Sequence, residues 1–392
     1  GAVDDRGVAI NGTGTLFTGA VNGNTPVVDS TTAKDDDRPF NPAFINDLQI
    51  NEGSPYAVFT ITGLPKAQIS LTLPAGTASG DATLGTDYQG ASALEVFING
   101  QWVAYDPNAS YPAAIGTATN PSLRSNAVLD ATGTLLVRVK LENQAVYEGP
   151  ERLALTLQYT GNVDSTTSYP RQPDTTKSFT GAATIVDDGT GSIFLGNNTT
   201  GLPNQPGDTD PAPNAPDYPA QLDDDRPLNI APVTVNEGSP FIVFSVSGVA
   251  GQLVKLGTAS GSASLGDISL FESTADVSST LEVFNGTTWV TYTPGSFVAI
   301  PLAPGQVAGD PQSLLVRLAL NNDEPFEAQE SFTLTATNIG GGTATGVGTI
   351  LDNGAGTYFA ANPGGLAGVA LSGLYMPATD ADAALNNDIS LE

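Results

Sequence analysis

The chain contains no cysteine and no histidine. Chemistry that needs a thiolate or an imidazole is therefore excluded: cysteine and serine-histidine nucleophiles, haem ligation and the common zinc sites. Disulfides are excluded as well, so a secreted chain of this composition needs another source of rigidity, such as bound ions. Positive charge is scarce, with 13 Lys and Arg against 41 Asp and Glu and a formal net charge of −28. That balance repels nucleic acid and anionic lipid, and its natural counter-charge is a cation. Uncharged apolar runs of about 18 residues are missing, so no membrane-spanning helix is expected.

What is present is apolar content of 40%, enough for packed cores, with 44 Gly and 28 Pro that fit many tight turns. The dominant signal is an internal repeat. Asn51-Glu-Gly-Ser-Pro recurs as Asn236-Glu-Gly-Ser-Pro, Leu94-Glu-Val-Phe as Leu281-Glu-Val-Phe, and Trp102-Val-Ala-Tyr as Trp289-Val-Thr-Tyr. Leu135-Leu-Val-Arg then matches Leu314-Leu-Val-Arg, and Thr184-Ile-Val-Asp-Asp-Gly matches Thr349-Ile-Leu-Asp-Asn-Gly. Within each copy the apolar period is two. Ala57, Phe59 and Ile61 are expected on one face of a strand, and Phe332, Leu334 and Ala336 on one face of another. Turn residues interrupt these runs about every ten residues, and no helical stripe occurs. Each copy reads as an all-β, immunoglobulin-like antiparallel sandwich of about seven strands in two sheets. Trp102 and Trp289 are expected to pack at the core or its rim.

Three tracts without charge, Gly7 to Val28, Gly189 to Gly207 and Asn353 to Thr379, separate the copies from acidic phrases. The organisation expected is a partial linker module over 1–38, a first sandwich over 39–190, a linker over 191–226, a second sandwich over 227–354 and a further partial module over 355–392. On that phasing the chain is expected to be an excerpt of a longer tandem array, or a subunit whose ends meet a neighbour's, the apolar tail adding a strand to an open sheet edge.

The acids fall at strand ends and turns. Glu52 opens a strand, Asp87 lies in a Gly-Thr-Asp-Tyr turn, Glu148 and Glu151 flank a Gly-Pro turn, and Asp187 with Asp188 closes the last strand. Sandwich connections gather at two poles, so these carboxylates can converge, and several together repel unless a cation neutralises them. Ca²⁺ takes six to eight oxygen ligands of this kind, whereas Mg²⁺ prefers fewer carboxylates and more water. A solvated acidic rim is the alternative.

The order Asn-Glu-Gly, Gly-Thr-Asp-Tyr, Val-Tyr-Glu-Gly-Pro-Glu and Ala-Thr-Ile-Val-Asp-Asp-Gly resembles the Calx-beta domain. That family is an immunoglobulin-like sandwich binding Ca²⁺ at one pole, found in sodium–calcium exchangers and in tandem arrays of large secreted bacterial adhesins. The resemblance covers about two thirds of the chain. It implies Glu52, Asp87, Glu148 or Glu151, Asp187 and Asp188 as ligands in the first copy, and Glu237, Glu327 or Glu330, and Asp352 in the second. In the second copy Gly266-Asp-Ile replaces the Gly-Thr-Asp-Tyr turn, which moves the acid to Asp267, and Asn353 replaces the second terminal acid; Asp323 is the available compensation.

Outside the family's motifs stand two identical joints, Asp35-Asp36-Asp37-Arg-Pro and Asp223-Asp224-Asp225-Arg-Pro. Their acids either share an ion with the preceding module or pair with Arg38 and Arg226. Asp208-Thr-Asp-Pro lacks the Gly and the Glu of an EF-hand loop, and duplicated acids at strand ends argue against a glycosidase. The expectation is a non-enzymatic, extracellular, calcium-stiffened adhesive repeat of a bacterial surface protein, with a self-assembling filament, sheath or surface-layer subunit as the alternative. Expected partners are Ca²⁺ and neighbouring repeats or identical subunits. Any adhesive target, surface or glycan, is unspecified.

Overall fold

Strict alternation of apolar and hydroxyl side chains builds this molecule. In the strand Glu330–Asn338, Phe332, Leu334 and Ala336 are buried while Thr333, Thr335 and Thr337 remain partly exposed. Such a strand has one face for a core and one for solvent, and two sheets of them close on each other. The computed structural model describes residues 43–359 apart from 66, 77, 91–93, 106–126, 130–131, 163–174, 216, 270–273, 303–306, 308–310 and 324–325, and also the backbone of Ala2–Val3, Ala9–Ile10, Phe17–Asn22, Thr25–Val28 and Val369–Ser372. Asp35, Asp36 and Asp37 lie outside the described residues. Among the described residues every regular element is a strand.

The first sandwich faces a sheet ordered Gln101–Ala104, Leu94–Ile98, Thr134–Lys140, Tyr56–Thr62, Phe44–Ile45 against one ordered Ala127–Val128, Ala67–Thr72, Glu151–Asn162, Ser178–Val186, Leu48–Asn51. The second repeats this plan, with Asn229–Ile230, Phe241–Val249, Pro311–Ala319, Glu282–Phe284 and Trp289–Thr291 in one sheet. Its facing sheet runs Phe297–Ala299, Leu253–Ser260, Glu330–Asn338, Thr343–Leu351, Val233–Asn236, Ala355–Tyr358, Val369–Ser372. Ala57, Phe59 and Ile61 fill the first core, and Phe244 and Phe332 meet edge to face at 5.8 Å in the second.

The opening strand of each copy changes sheets. Phe44–Ile45 joins one sheet and Leu48–Asn51 the other, and the residues between satisfy both edges: Asn46 Oδ1 accepts from Thr60 N (2.7 Å), and Asp47 Oδ1 from Ala182 N (2.9 Å). After the switch the pairing is parallel, Leu48 to Asn51 running beside Ala183 to Val186, and Val233 to Asn236 beside Gly348 to Leu351. Parallel pairing here is what brings the start and the end of each sandwich to the same pole.

The stretch 191–226, whose composition is that of a linker, is packed against the first sandwich over its first part. Ile193, Phe194 and Leu195 are fully buried, and Phe194 N donates to Ser54 Oγ (2.9 Å). Arg138, stacked between the rings of Tyr56 and Trp102, donates to Gly196 O (2.8 Å), while Trp102 Nε1 donates to Asn198 O (2.9 Å). Both tryptophans sit at the core rim, Trp289 beneath Arg317 in the same way. The backbone Ala355–Tyr358 likewise adds to its own sheet, pairing with Val235 and with Val369–Ser372.

A buried tyrosine hydroxyl serves the same purpose in each copy: Tyr105 Oη accepts from Leu71 N (2.9 Å) and Tyr292 Oη from Leu256 N (3.0 Å). Tyr292→Phe leaves the buried Leu256 N–H without an acceptor, and a loss of about 1–3 kcal/mol in urea unfolding of the second sandwich is expected. An unchanged midpoint would show that the hydroxyl is dispensable.

Candidate metal centres at the sandwich poles

Each opening strand ends in a tight turn made by the Asn of Asn-Glu-Gly. Asn51 Oδ1 accepts from Gly53 N and Asn236 Oδ1 from Gly238 N, both at 3.0 Å. The parallel register then carries Glu52 N to Val186 O (2.9 Å) and Glu237 N to Leu351 O (3.0 Å). Each glutamate is thereby set beside the acid that follows the closing strand, Asp187 or Asp352.

At the first pole the carboxylates form two groups. Asp87, Glu148 and Glu151 each bring an oxygen within 4.8 Å of the others, and so do Asp187, Asp223 and Asp225. Gln144 stitches the pole together. Its backbone N–H donates to Glu52 Oε1 (2.8 Å), and its side-chain Nε2 donates to Asp87 Oδ1 (2.6 Å) and Glu148 Oε2 (2.8 Å). Asp87 Oδ2 accepts from Thr83 N, which fixes the carboxylate in its turn. Asp188 stays out of both groups: its Oδ1 accepts from Thr190 N (3.0 Å) and caps the turn after the strand.

Electrostatics mark these groups as costly. Burial pushes Glu52 up to about 8, with Asp187, Asp223 and Asp225 adding repulsion against the relief of the Gln144 N–H. Burial likewise pushes Asp187 up to about 7, and Asp225 and Asp223 repel it further although Asp225 N donates to its Oδ1 (3.0 Å). Glu151 is pushed up to about 7 by burial and by Asp87. Asp187, only 3% exposed, keeps Oδ2 buried without a hydrogen-bond partner, and Asp225 Oδ2 is in the same condition. Buried polar atoms are nearly always paired, so two orphaned carboxylate oxygens in one cluster fit an absent cation.

The triplet of the joint divides its work. Asp223 and Asp225 face Asp187, whereas Asp224 takes Arg226 in a two-pronged pair, Nε to Oδ1 at 2.8 Å and Nη2 to Oδ2 at 2.7 Å. Arg226 Nη2 also donates to Asp188 O (2.8 Å). The two alternatives for the triplet, an ion site and a salt-bridged turn, thus fall to different residues of it.

The joint is held from both sides. From the first sandwich, Asn51 Nδ2 donates to Asp223 O (2.9 Å) and Asn51 Oδ1 accepts from Asp223 N (2.8 Å). From the second, Gln252 Nε2 and Asn338 Nδ2 donate to Arg226 O at 2.9 and 2.8 Å. Two glycines permit the approach: a Cβ on Gly53 would lie 1.9 Å from Gln221 O, and one on Gly340, at φ +92°, would lie 1.9 Å from Asp223 Oδ1. No other residue fits either place.

The second pole has the same frame with different acids. Glu237, Asp323 and Glu327 converge, and Asp276, Glu327 and Glu330 form an adjoining group that shares Glu327. Asp323 stands where the first pole has Gln144, its N–H donating to Glu237 Oε1 (3.4 Å). Burial, then Asp352, Asp323 and Glu327, push Glu237 up to about 8, and burial with Asp276 pushes Glu330 up to about 7. Asp352, 4% exposed, accepts from Glu327 N through Oδ2 (2.8 Å) and keeps Oδ1 buried without a hydrogen-bond partner.

Asp267 is not brought to this pole. It is exposed and accepts from Ser269 N (3.0 Å) and Oγ (2.6 Å), which lowers its pKa. Asp276 takes the place of Asp87: its Oδ2 accepts from Ser264 N (2.5 Å) as Asp87 accepts from Thr83 N. The signal was in the sequence. The neighbouring anchors, Leu94 with Leu281 and Trp102 with Trp289, keep an offset of 187, which sets Asp87 against Thr274, close to Asp276 and far from Asp267. Gln144 carried no such signal, being neither acidic nor repeated.

No family model matches the chain, and no curated protein matches it. Solved structures resemble it in fold at low overall similarity. The calcium binding domain CBD12 of CALX1.1 is 11% identical with a TM-score of 0.23, over 75% of this chain and 79% of that one. The Yersinia pseudotuberculosis adhesin InvE is 10% identical with a TM-score of 0.24, over 82% of this chain and 63% of that one. The CupB6 tip adhesin from Pseudomonas aeruginosa is 12% identical with a TM-score of 0.21, over 79% of this chain and 98% of that one.

Two outcomes follow. Groups whose folded pKa is raised hold a proton that the unfolded chain releases, so their stabilisation is complete below the unfolded carboxylate range and is lost as pH rises through the folded value. With Glu52 and Glu237 at about 8 and Asp187 at about 7, the metal-free protein should lose melting temperature steadily between about pH 5 and pH 8; a flat profile would contradict the burial of these acids. Asn51→Ala removes both side-chain bonds to the buried Asp223 backbone, and a cost of about 1–3 kcal/mol in urea unfolding is expected.

Proposed function

We propose that the chain is a pair of calcium-binding structural modules of an extracellular adhesive protein, in which the ion sets how one sandwich is held against the next. The observation that carries this reading is the Asp187, Asp223 and Asp225 cluster, whose members come from two segments and which holds two buried, unpartnered carboxylate oxygens. Two carboxylate charges within 4.8 Å repel by roughly 3 kcal/mol at an effective dielectric near 20. Each additional charge multiplies that cost, and a divalent ion reverses its sign. Glu52, Asp187, Asp223 and Asp225 would hold the ion of the joint; Asp87, Glu148 and Glu151 would hold a second. Glu237, Asp323, Glu327, Asp352, Asp276 and Glu330 are the corresponding ligands of the second sandwich. An all-oxygen, carboxylate-rich set suits Ca²⁺ over Mg²⁺, and its absence of His and Cys disfavours zinc and copper. When bound, the ion supplies charge neutralisation and a bridge between modules.

Exterior fluids hold calcium in the millimolar range, where such sites fill, and a chain without cysteine gains there the rigidity that disulfides give other secreted proteins. Nothing in the two poles resembles a catalytic pair with a substrate cleft, and the reading is non-enzymatic.

Calcium titration with thermal melting tests this. A ligand that binds only the folded state stabilises it by about 2.7 kcal/mol per site at a hundredfold excess over Kd. Melting should therefore rise with calcium and fall with chelator, and the rise should shrink in Asp187→Asn. A melting temperature indifferent to millimolar calcium would falsify the reading.

A further inference from the structure

The two poles are served differently, although they are built alike. At the first pole, Asp223 and Asp225 arrive from the joint, and the Asn51 side chain binds the Asp223 backbone in both directions. At the second pole the receiving parts are repeated: the Asn236 turn, Glu237 beside the closing strand, and Asp352, 4% exposed with a buried, unpartnered Oδ1. Asn236 Nδ2 binds Ala355 O (3.0 Å), as Asn51 Nδ2 binds Thr190 O (2.8 Å). Its other contact is a long 3.4 Å bond to Leu351 O, where Asn51 holds Asp223 O at 2.9 Å. The sequence contains two such poles and two Asp-Asp-Asp-Arg-Pro phrases, and one pole is joined to one phrase, at Asp223.

We propose that the second pole is the docking site for the Asp35-Asp36-Asp37-Arg38-Pro39 phrase of a second copy of this chain, with calcium between the two sets of carboxylates, so that copies join head to tail. This rests on the calcium reading above. The phrase is identical in sequence to the one that docks on the first pole, and it stands ahead of the first sandwich as Asp223 to Pro227 stands ahead of the second. The contact is heterologous, since the pole of one copy receives a different surface of the next, and contacts of that kind propagate into open chains. Both faces are acidic, so without the ion they repel and the copies stay apart. Inside one chain the linker keeps the phrase close to its pole, whereas between chains that advantage is absent, and association will require high protein concentration.

Sedimentation velocity over a range of protein concentrations, with calcium and with chelator, reads this directly, alongside calorimetry of calcium binding. The expected result is a calcium-dependent increase in weight-average mass, about twofold or more at the highest concentrations, reversed by chelator. Asp352→Asn alone, and the triple variant Asp35→Asn, Asp36→Asn, Asp37→Asn alone, should each remain monomeric. Mixed in equal amounts they should form dimers and stop there, because one keeps its phrase and the other its pole. Association of the triple variant like that of the unaltered chain overturns the docking, as does a monomeric chain that nevertheless binds calcium by calorimetry. A chain that takes up no calcium overturns the reading beneath it instead. Melting of both variants in chelator, compared with the unaltered chain, separates a lost contact from a lost fold.

Discussion

The parallel pairing of the opening strand with the closing strand is the constraint on which the rest of the molecule depends. It places Glu52 N against Val186 O and Glu237 N against Leu351 O, so the first acid of each copy meets the last. An antiparallel partner would send the two ends of the sandwich to opposite poles, and the carboxylates would never share a site. The switch between sheets makes this possible, and its cost in unpaired backbone is met by Asn46 and Asp47 in the first copy. In the second copy Ala231-Pro232 occupies the same switch, and the proline has no N–H to satisfy.

From that constraint the joint follows. The Asn51 turn offers both a donor and an acceptor to whatever backbone lies next to it, and Gly53 leaves room for the approach. Asp223 fills the place, and its neighbours then take separate roles. Asp224 is neutralised by Arg226, which in turn is anchored to the first sandwich through Asp188 O and to the second through its own carbonyl. Asp223 and Asp225 are left facing Asp187 with no positive partner of their own among the described residues. Structural pairing and stored repulsion thus lie within three consecutive residues.

The copies have diverged where the ligands are, more than where the core is. Gln144 at the first pole is a neutral donor that ties Asp87 to Glu148; Asp323 at the equivalent place in the second is a further negative charge. The first pole receives acids from the joint, and the second carries more of its own. The same total of acid is reached by different routes, which is consistent with selection acting on charge at the pole and not on any single side chain.

Much of this was legible in the sequence because its cause is local. Period-two alternation determined which faces of Tyr56–Thr62 and Glu330–Asn338 are buried, and the repeat determined that the plan occurs twice. Acids at strand ends announced the poles, since strand ends are where sandwich loops gather. Only the tertiary structure decided the rest, and the reason in each case is a contact between residues far apart in the chain. Composition made 191–226 a linker, yet Phe194 enters the first core because Ser54 and Arg138 hold the backbone on either side of it. Spacing within a turn favoured Asp267, yet Asp276 takes the position because the loop ahead of it is longer in the second copy. Three identical aspartates in a row look equivalent as sequence. Their division into one salt-bridged residue and two that face Asp187 exists only once Arg226 and the first pole approach from opposite sides.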